Sequence, residues 1–565
     1  MIRSRMPFRH SRWRHRRTRL ACAAACLAAA GALAATFLPA PQAGASTYAT
    51  PGASSVAAFH GLTGPQEANL LSVARKTWNF YNADIDPATN LPMDNITYAG
   101  GSATPTTFGA YTSAADIGVY LWAVVSARDL RVISTQQAIT RIRATLTEVA
   151  HLQRYDGFLY QWYDTTNGDI LSNPGDADCP ANAAPAFTNC FFVSNVDNGW
   201  YASGLIVVRE AIPQLRSLAD SLIAPMNFSI FYDNGPETHC NTNPAVPGNQ
   251  PTGQMFGGYY VGLPPYQGND LTEYYHNGAF YSDPRIGAYI GMGLHQMPGN
   301  VWWRSWRELP PPAPFADCQA TDPDFSWQGQ WPMAGQWETY TDPQSGQKFE
   351  VWEGHYTYPG TNLTFIPTYS GGMFEALMPN IVVPETSWGT QSFGLADLRT
   401  AEVQIKYATQ ALHYPVWGMS PSSTADDTGN YAGYGVEGQV FPYYGTGATA
   451  SHPNLELSQC VTCATENVVT PYASFIALDV VPQQAYANIQ KLRTLYPGIY
   501  GVGGFFDAVN PTTGAIGHRY LVLDQSMIMA SLDNALNNRA IQRDFASDPV
   551  SWAAHTYLEL EKMSI

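Results

Sequence analysis

Positive charge is scarce in this chain. Only 29 of its 565 residues are Lys or Arg, against 45 Asp or Glu. Eight of the arginines lie between Arg3 and Arg19, with no acid among them. Without that segment the net charge falls from −16 to −24. Such a surface disfavours nucleic acid, anionic lipid and polyanionic substrates as partners. Charged residues make up 13% of the chain, about half the usual globular share. Long apolar runs are missing after Leu38, so no later stretch offers the ~20 apolar residues of a membrane span. There is no GxGxxG opening a helix and no Walker motif, and no cofactor is expected. His276, His295, His355 and His413 form no HExxH and no close pair, so no catalytic metal is expected. Nor does a Ser/Gly linker or charge run mark a domain boundary.

The arginine-rich start precedes an apolar stretch, Ala21 to Leu38, and a small-x-small run, Ala43-Gly44-Ala45. Residues 1–45 therefore read as a cleavable signal peptide, and residues 46–565 as one secreted, extracellular domain, expected to be a monomer. Arg16-Arg17 hints at twin-arginine export, and the apolar run continuing past Cys26 argues against a lipoprotein. Six cysteines remain: Cys179, Cys190, Cys240, Cys318, Cys460 and Cys463. An even number in an oxidising compartment points to disulfides. Cys179 with Cys190 and Cys460 with Cys463 would be local staples, leaving Cys240 with Cys318. The Cys460-x-x-Cys463 spacing also suits redox or zinc chemistry, but no βαβ context or second ligand pair accompanies it.

Aromatic residues, by contrast, are 13% of the chain. Few charges and many Tyr and Trp suit a protein that stacks neutral sugar rings and hydrogen-bonds their hydroxyls. Helical periodicity recurs. Ile117, Tyr120, Leu121, Val124 and Val125 share one spacing, and Ile139, Ile142, Leu146, Val149 and Leu152 another. Further helices are expected within 62–81, 199–215, 286–294, 395–412, 483–495 and 524–538. Long aromatic-rich stretches separate them, at 234–267, 310–367 and 420–470. Paired helices with long ordered connections predict an all-α fold, an α/α toroid whose loops build a cleft at one end. In the run Tyr369 to Pro379 (YSGGMFEALMP), Glu375 stands alone among apolar residues. Burial there raises a carboxyl pKa, as a general acid requires; otherwise Glu375 is a solvated or capping residue.

Eight strings in order resemble the glycoamylase-like domain family. That family includes the C-terminal domain of cyclic β-1,2-glucan synthases, and the endo-β-1,2-glucanases are related to it. The strings begin with Trp78-Asn79-Phe80-Tyr81, continued by Asn90-Leu91-Pro92-Met93-Asp94-Asn95, then Thr112 to Leu121 and Leu159 to Thr165. Ser194 to Gly199, Ser282 to Ile286, Met373-Phe374-Glu375, Trp417 to Ser420 and Asp524-Gln525-Ser526 complete them. The resemblance implies an (α/α)6 toroid that acts on a glucan or related neutral polysaccharide or oligosaccharide.

Glycoside hydrolysis needs one protonated and one ionised carboxyl group. The resemblance places a family glutamate at Asp283, the first choice for general acid, with Glu375 as second carboxylate or sugar ligand. Asp197 opens a helix whose N-terminal dipole favours its ionised form; as a bland alternative, it and Asp283 are helix caps. Glu273, beside Tyr274 and Tyr275, is an alternative to Asp283. After Trp417-Gly418-Met419-Ser420 the synthases lead one to expect glutamate, whereas this chain has Pro421. The neighbouring Asp426 and Asp427 are therefore candidate bases, unless they are solvated or bind calcium, and a hydrolase is favoured over a cyclising transglycosylase. Glu273, Tyr274, Trp303, Trp417 and Tyr431 are expected to line the substrate, although a Trp-rich segment such as 301–307 is more often core. Two alternatives use the same toroid: a polysaccharide lyase, which suits a charge of −24 badly, and a carbohydrate-binding protein without chemistry.

Overall fold

Capping residues in the sequence start the first helices. Ser113 with Asp116 and Ser134 with Gln137 form reciprocal capping boxes, and Thr63 with Gln66 does the same. They open α1 (Gly64–Asp84), α2 (Ala114–Asp129) and α3 (Thr135–His151). Ser194 caps α4 (Asn195–Ala211), and α5 (Arg216–Ile223), α6 (Arg285–Gly293) and α7 (Asn300–Arg304) follow. The C-terminal half carries α8 (Met373–Val382), α9 (Glu385–Trp388), α10 (Phe393–Lys406), α11 (Pro471–Ile476) and α12 (Pro482–Leu495). Last come α13 (Val522–Leu536), α14 (Ala540–Ser547) and α15 (Trp552–Leu560). This computed structural model describes residues 48–179, 189–234, 253–261, 280–305, 307, 334–358, 360–368, 371–436 and 467–565. Residues 1–45, expected to be a signal peptide, and Cys240, Cys318, Cys460, Cys463, Glu273 and Tyr274 lie outside the described residues. Residues Ala49–Ile565 cluster as one unit.

The helices pack in the order α6–α4–α2–α13–α11–α8. Two glycine pairs set the first contacts. A Cβ on Gly118 would collide with the Trp200 carbonyl and one on Gly204 with the Gly118 carbonyl, so α2 and α4 cross backbone to backbone. Likewise a Cβ on Gly199 would meet Ile286, and one on Gly287 would meet the Asn195 side chain, so α4 and α6 approach closely. α2 is buried without a break from Ala114 to Ala127, whereas the sequence spacing indicated a one-sided stripe. A helix buried on all sides belongs to an inner layer. α3 does keep a single stripe of Ala138, Ile139, Ile142, Leu146 and Val149.

Small antiparallel sheets accompany the helices, which the all-α expectation did not include. Strands Tyr111–Ser113, Phe192–Ser194 and Arg519–Leu521 run straight into α2, α4 and α13. They pair with 162–164, 258–260 and 95–97 respectively. These sheets therefore lie at the end where inner helices begin. A longer hairpin, Ala334–Thr341 with Lys348–Thr357, packs against α7. Cys179 and Cys190 are disulfide-bonded, as their spacing suggested. Among the described residues no helix is long and apolar enough to cross a membrane.

Candidate active site

The helices that start at one end bring acids with them. The third residue is Asp116 in α2, Asp197 in α4, Glu375 in α8 and Asp524 in α13, while Asp283 stands two residues ahead of α6. Carboxylates are favoured there because unpaired N–H groups and the helix dipole offset their charge. Asp283 and Glu375, far apart in sequence, meet. Asp283 is 7% exposed and Glu375 9%, and their carboxyl groups are hydrogen-bonded to each other. Such a bond exists only while one of the two carries a proton.

Their surroundings act on the two unequally. Burial first, and then the charge of Asp283, push the Glu375 pKa well above the ordinary value. Burial also raises Asp283, but the hydrogen bond with Glu375, the Trp200 indole N–H at 3.5 Å and the Arg285 charge oppose that rise. Both carboxyls are thus raised, Glu375 further than Asp283, the residue the sequence reading placed first as general acid. Ser282 Oγ spans the pair, 2.9 Å from Glu375 Oε2 and 3.4 Å from Asp283 Oδ1.

One buried guanidinium fixes both backbones. Arg285 donates through Nη1 to the Ser282 carbonyl (3.1 Å) and the Glu375 carbonyl (3.4 Å), and through Nη2 to the Ala376 carbonyl (2.5 Å). Pro379 lies inside α8, four residues beyond Glu375. Proline has no N–H, so the Glu375 carbonyl has no helical donor and Arg285 supplies one. A bidentate pair with Glu385 (2.8 and 2.7 Å) neutralises Arg285. The Tyr289 hydroxyl donates to Glu385 as well, at 2.5 Å. From the other side Ser420 Oγ accepts from the Phe374 N–H at 2.8 Å. Gln404 binds the Gly371 and Met419 carbonyls, both at 2.9 Å, which seats the Trp417-to-Ser420 string against the start of α8.

Asp197 is half-buried beside this pair. Its pKa is pushed up to about 6 by burial, with Ser194 bonding opposing the rise and the Asp283 charge adding to it. Gln161 Nε2 approaches Asp197 Oδ2 at 3.4 Å. Tyr431 is 48% exposed. Burial of its hydroxyl, together with Asp524, Asp507, Glu375 and Asp94, raises the phenol pKa well above the ordinary value.

Asp426 and Asp427 occupy a different position. Both are exposed. Asp426 Oδ1 accepts from the Thr428 N–H (3.0 Å), Thr428 Oγ1 (2.6 Å) and Thr424 Oγ1 (2.8 Å), and these bonds hold its pKa below the ordinary value. Asp427 accepts from the Gly100 N–H at 2.7 Å and the His518 N–H at 2.9 Å. Their oxygens fasten loops, and neither residue touches the Asp283–Glu375 pair. Trp303 is also displaced from its expected role. It is buried, stacked on Tyr340 at 4.7 Å, with its indole N–H 3.2 Å from Asp342, so its faces are taken by packing. Trp417 is buried, and Asn488 brackets its backbone at 3.2 and 2.8 Å. Among the described residues no group of three or more His, Cys, Asp or Glu is arranged to hold a metal ion.

Arg285, Asp116 and Asp524 escaped the sequence reading. Arg285 had a signal, since it is the only charged residue of α6 and a lone buried cation needs a buried anion. Asp116 and Asp524 had one too, because each falls at the same third position of its helix as Asp197 and Glu375. The arrangement can hold one proton on a buried acid and accept another on a neighbouring carboxylate.

Known proteins share this framework. Residues 339–549 match the family described as "Glycoamylase: Putative glucoamylase", and residues 72–235 match a family described as a protein of unknown function (DUF3131). The chain is 30% identical over 141 residues to the cyclic beta-(1,2)-glucan synthase NdvB of Rhizobium meliloti, a match over 25% of this chain and 4% of that protein's length. It superposes on the structure of a putative glucoamylase from Bacteroides caccae with a TM-score of 0.57 at 14% identity, covering 88% of this chain and 100% of the other. For an endo-beta-1,2-glucanase from Chitinophaga pinensis the TM-score is 0.56 at 15% identity, over 88% and 98% of the two chains. The glycoamylase-like resemblance holds, and at these identities the structures share the fold.

Proposed function

We propose that this protein is a secreted glycoside hydrolase that cleaves a neutral β-glucan within the chain, on an (α/α)6 toroid, with β-1,2-linked glucan as its first candidate substrate. The observation that carries this reading is the buried, hydrogen-bonded Glu375–Asp283 pair beside Asp197, where the helices begin. A single protonated carboxyl among ionised ones is what glycosidic cleavage asks for. Glu375 donates its proton to the leaving glycosidic oxygen as the C1–O bond breaks. Asp283 and Asp197 remain negative and stabilise the positive charge that develops at C1. Asp197, ionised above pH ~6, takes the proton from the attacking water. The surrounding carboxylates repel a uronate, which counts against lyase chemistry.

The likeness to a glucan synthase favours one second reading, transfer of the glycosyl group to a sugar hydroxyl in place of water. Pro421, standing where the synthases lead one to expect a glutamate, argues for water. Both readings are tested by incubating purified protein with β-1,2-, β-1,3- and β-1,6-glucans and resolving the products by mass spectrometry. Linear oligosaccharides with new reducing ends support hydrolysis, and cyclic or lengthened products support transfer. A folded protein that releases nothing from any neutral glucan overturns both.

A further inference from the structure

The strand preceding α2 forms a wall to which no role has been given. Strand Tyr111–Ser113 pairs antiparallel with Trp162–Asp164, in the register Ser113 opposite Trp162 and Tyr111 opposite Asp164. Alternation puts Tyr111, Ser113, Trp162 and Asp164 on one face, and Thr112 and Tyr163 on the other. Thr112 and Tyr163 are fully buried, whereas Tyr111 and Trp162 keep part of their surface open. Their rings meet edge to face, with centroids 5.7 Å apart.

Polar groups frame these rings. Asn95 Nδ2 donates to Asp94 Oδ1 at 2.6 Å and to the Tyr111 hydroxyl oxygen at 2.9 Å. The Tyr111 hydroxyl in turn donates to Asp94. This closed triangle fixes the Tyr111 ring and leaves the half-buried Asp94 carboxylate able to accept more bonds. At the other end of the wall Gln161, adjoining Trp162 in the chain, reaches Asp197 at 3.4 Å. Asp116, held by Ser113 at the start of α2, feels the charges of both Asp94 and Asp197. The aromatic wall thus runs between two carboxylates, one of them beside the Glu375–Asp283 pair.

We infer that Trp162 and Tyr111, with Asp94 and Gln161, form a binding subsite for one neutral pyranose ring of the glycan, on the Asp197 side of the bond being cleaved. The ring's apolar C–H face lies on the indole, and its hydroxyls donate to Asp94 and bond the Gln161 amide. A carboxylate acceptor selects hydroxyls over a sugar acid, so the subsite favours uncharged sugars. This assignment rests on the glycan-acting reading above and deepens it.

The test compares Trp162→Ala, Trp162→Phe and Tyr111→Phe with the wild type, using β-1,2-glucan as probe. Expected for Trp162→Ala is a KM raised about ten-fold with kcat within about three-fold, which matches the loss of one stacked ring. Trp162→Phe recovers much of that loss, which a merely structural change would not do. Tyr111→Phe keeps the ring but frees Asp94, and raises KM by a smaller factor. Calorimetric titration with β-1,2-glucooligosaccharides in a Glu375→Gln background, where turnover is blocked, returns the same factors as affinities. If the wild type hydrolyses the glucan while folded Trp162→Ala and Tyr111→Phe keep its KM and affinity, the subsite is overturned and the hydrolase reading stands. If neither the wild type nor Glu375→Gln binds any neutral glucan, both fall together.

Discussion

Removing the Ser194 hydroxyl isolates the role of Asp197. In the folded protein that hydroxyl bonds the Asp197 carboxylate and holds down a pKa that burial raises to about 6. A hydrogen bond to a charged group contributes about 1.5–3 kcal/mol, and one pH unit corresponds to ~1.4 kcal/mol. Asp197 is half-buried, and solvent screening there takes the lower end of that range, about one pH unit. In Ser194→Ala the carboxyl therefore titrates near pH ~7. The sign is fixed: a base must be ionised, so activity rises with pH through its pKa, and the acid limb moves upward. At pH ~6 the ionised fraction falls from about half to about a tenth, and kcat/KM falls about five-fold. At pH ~8 both forms are ionised and the difference largely closes. The assay is kcat/KM on β-1,2-glucan from about pH 5 to 9, read as reducing ends. Ser194 also caps α4, so the variant loses ~1 kcal/mol of stability, which thermal melting monitors. An acid limb that stays near pH ~6 in a folded Ser194→Ala protein refutes Asp197 as the base.

Other expectations follow from the same geometry. Glu375→Gln removes the donated proton and lowers kcat by about 10²–10⁴-fold while oligosaccharide binding is retained, as calorimetry would show; unchanged kcat excludes Glu375 as the acid. Arg285→Lys keeps the charge but loses the fork that reaches three carbonyls and Glu385. It lowers stability by about 3 kcal/mol or more in chemical denaturation and lowers kcat more than it changes KM. Trp303→Ala opens a cavity between Tyr340 and Tyr557 and costs about 3–5 kcal/mol, with KM unaltered because the ring does not face the cleft.

Much of the site was legible because it is written at helix starts. Ser194-x-x-Asp197 is a local pattern, and Glu375 among Met373, Phe374, Ala376 and Leu377 announces a carboxyl facing apolar surroundings. That Glu375 meets Asp283 depends on the start of α8 and the residues just ahead of α6 coming together, and periodicity does not encode such long-range meetings. Asp426 and Asp427 misled because a Ser/Thr/Gly-rich loop reads alike whether it lines a cleft or fastens one strand to another. Their oxygens are taken by Thr424, Thr428, Gly100 and His518, contacts that partly span hundreds of residues. Trp303 misled for a related reason: composition identifies an aromatic ring, but only packing determines which of its faces remain open. The rim strands were unforeseen because they are two or three residues long, below the length at which alternation can be seen.

Pro379 and Arg285 are bound to a common fate. Proline leaves the Glu375 carbonyl without an internal donor, and the guanidinium of another helix occupies that vacancy. Alanine at Pro379 would bring a competing N–H to the same oxygen and loosen the arginine's hold. The cost of losing Arg285 therefore depends on what stands at 379, and a double-mutant cycle over the two positions is non-additive. A lineage in which one of them drifts has relaxed the constraint on the other, so covariation of these two distant positions is the trace this contact leaves in sequences.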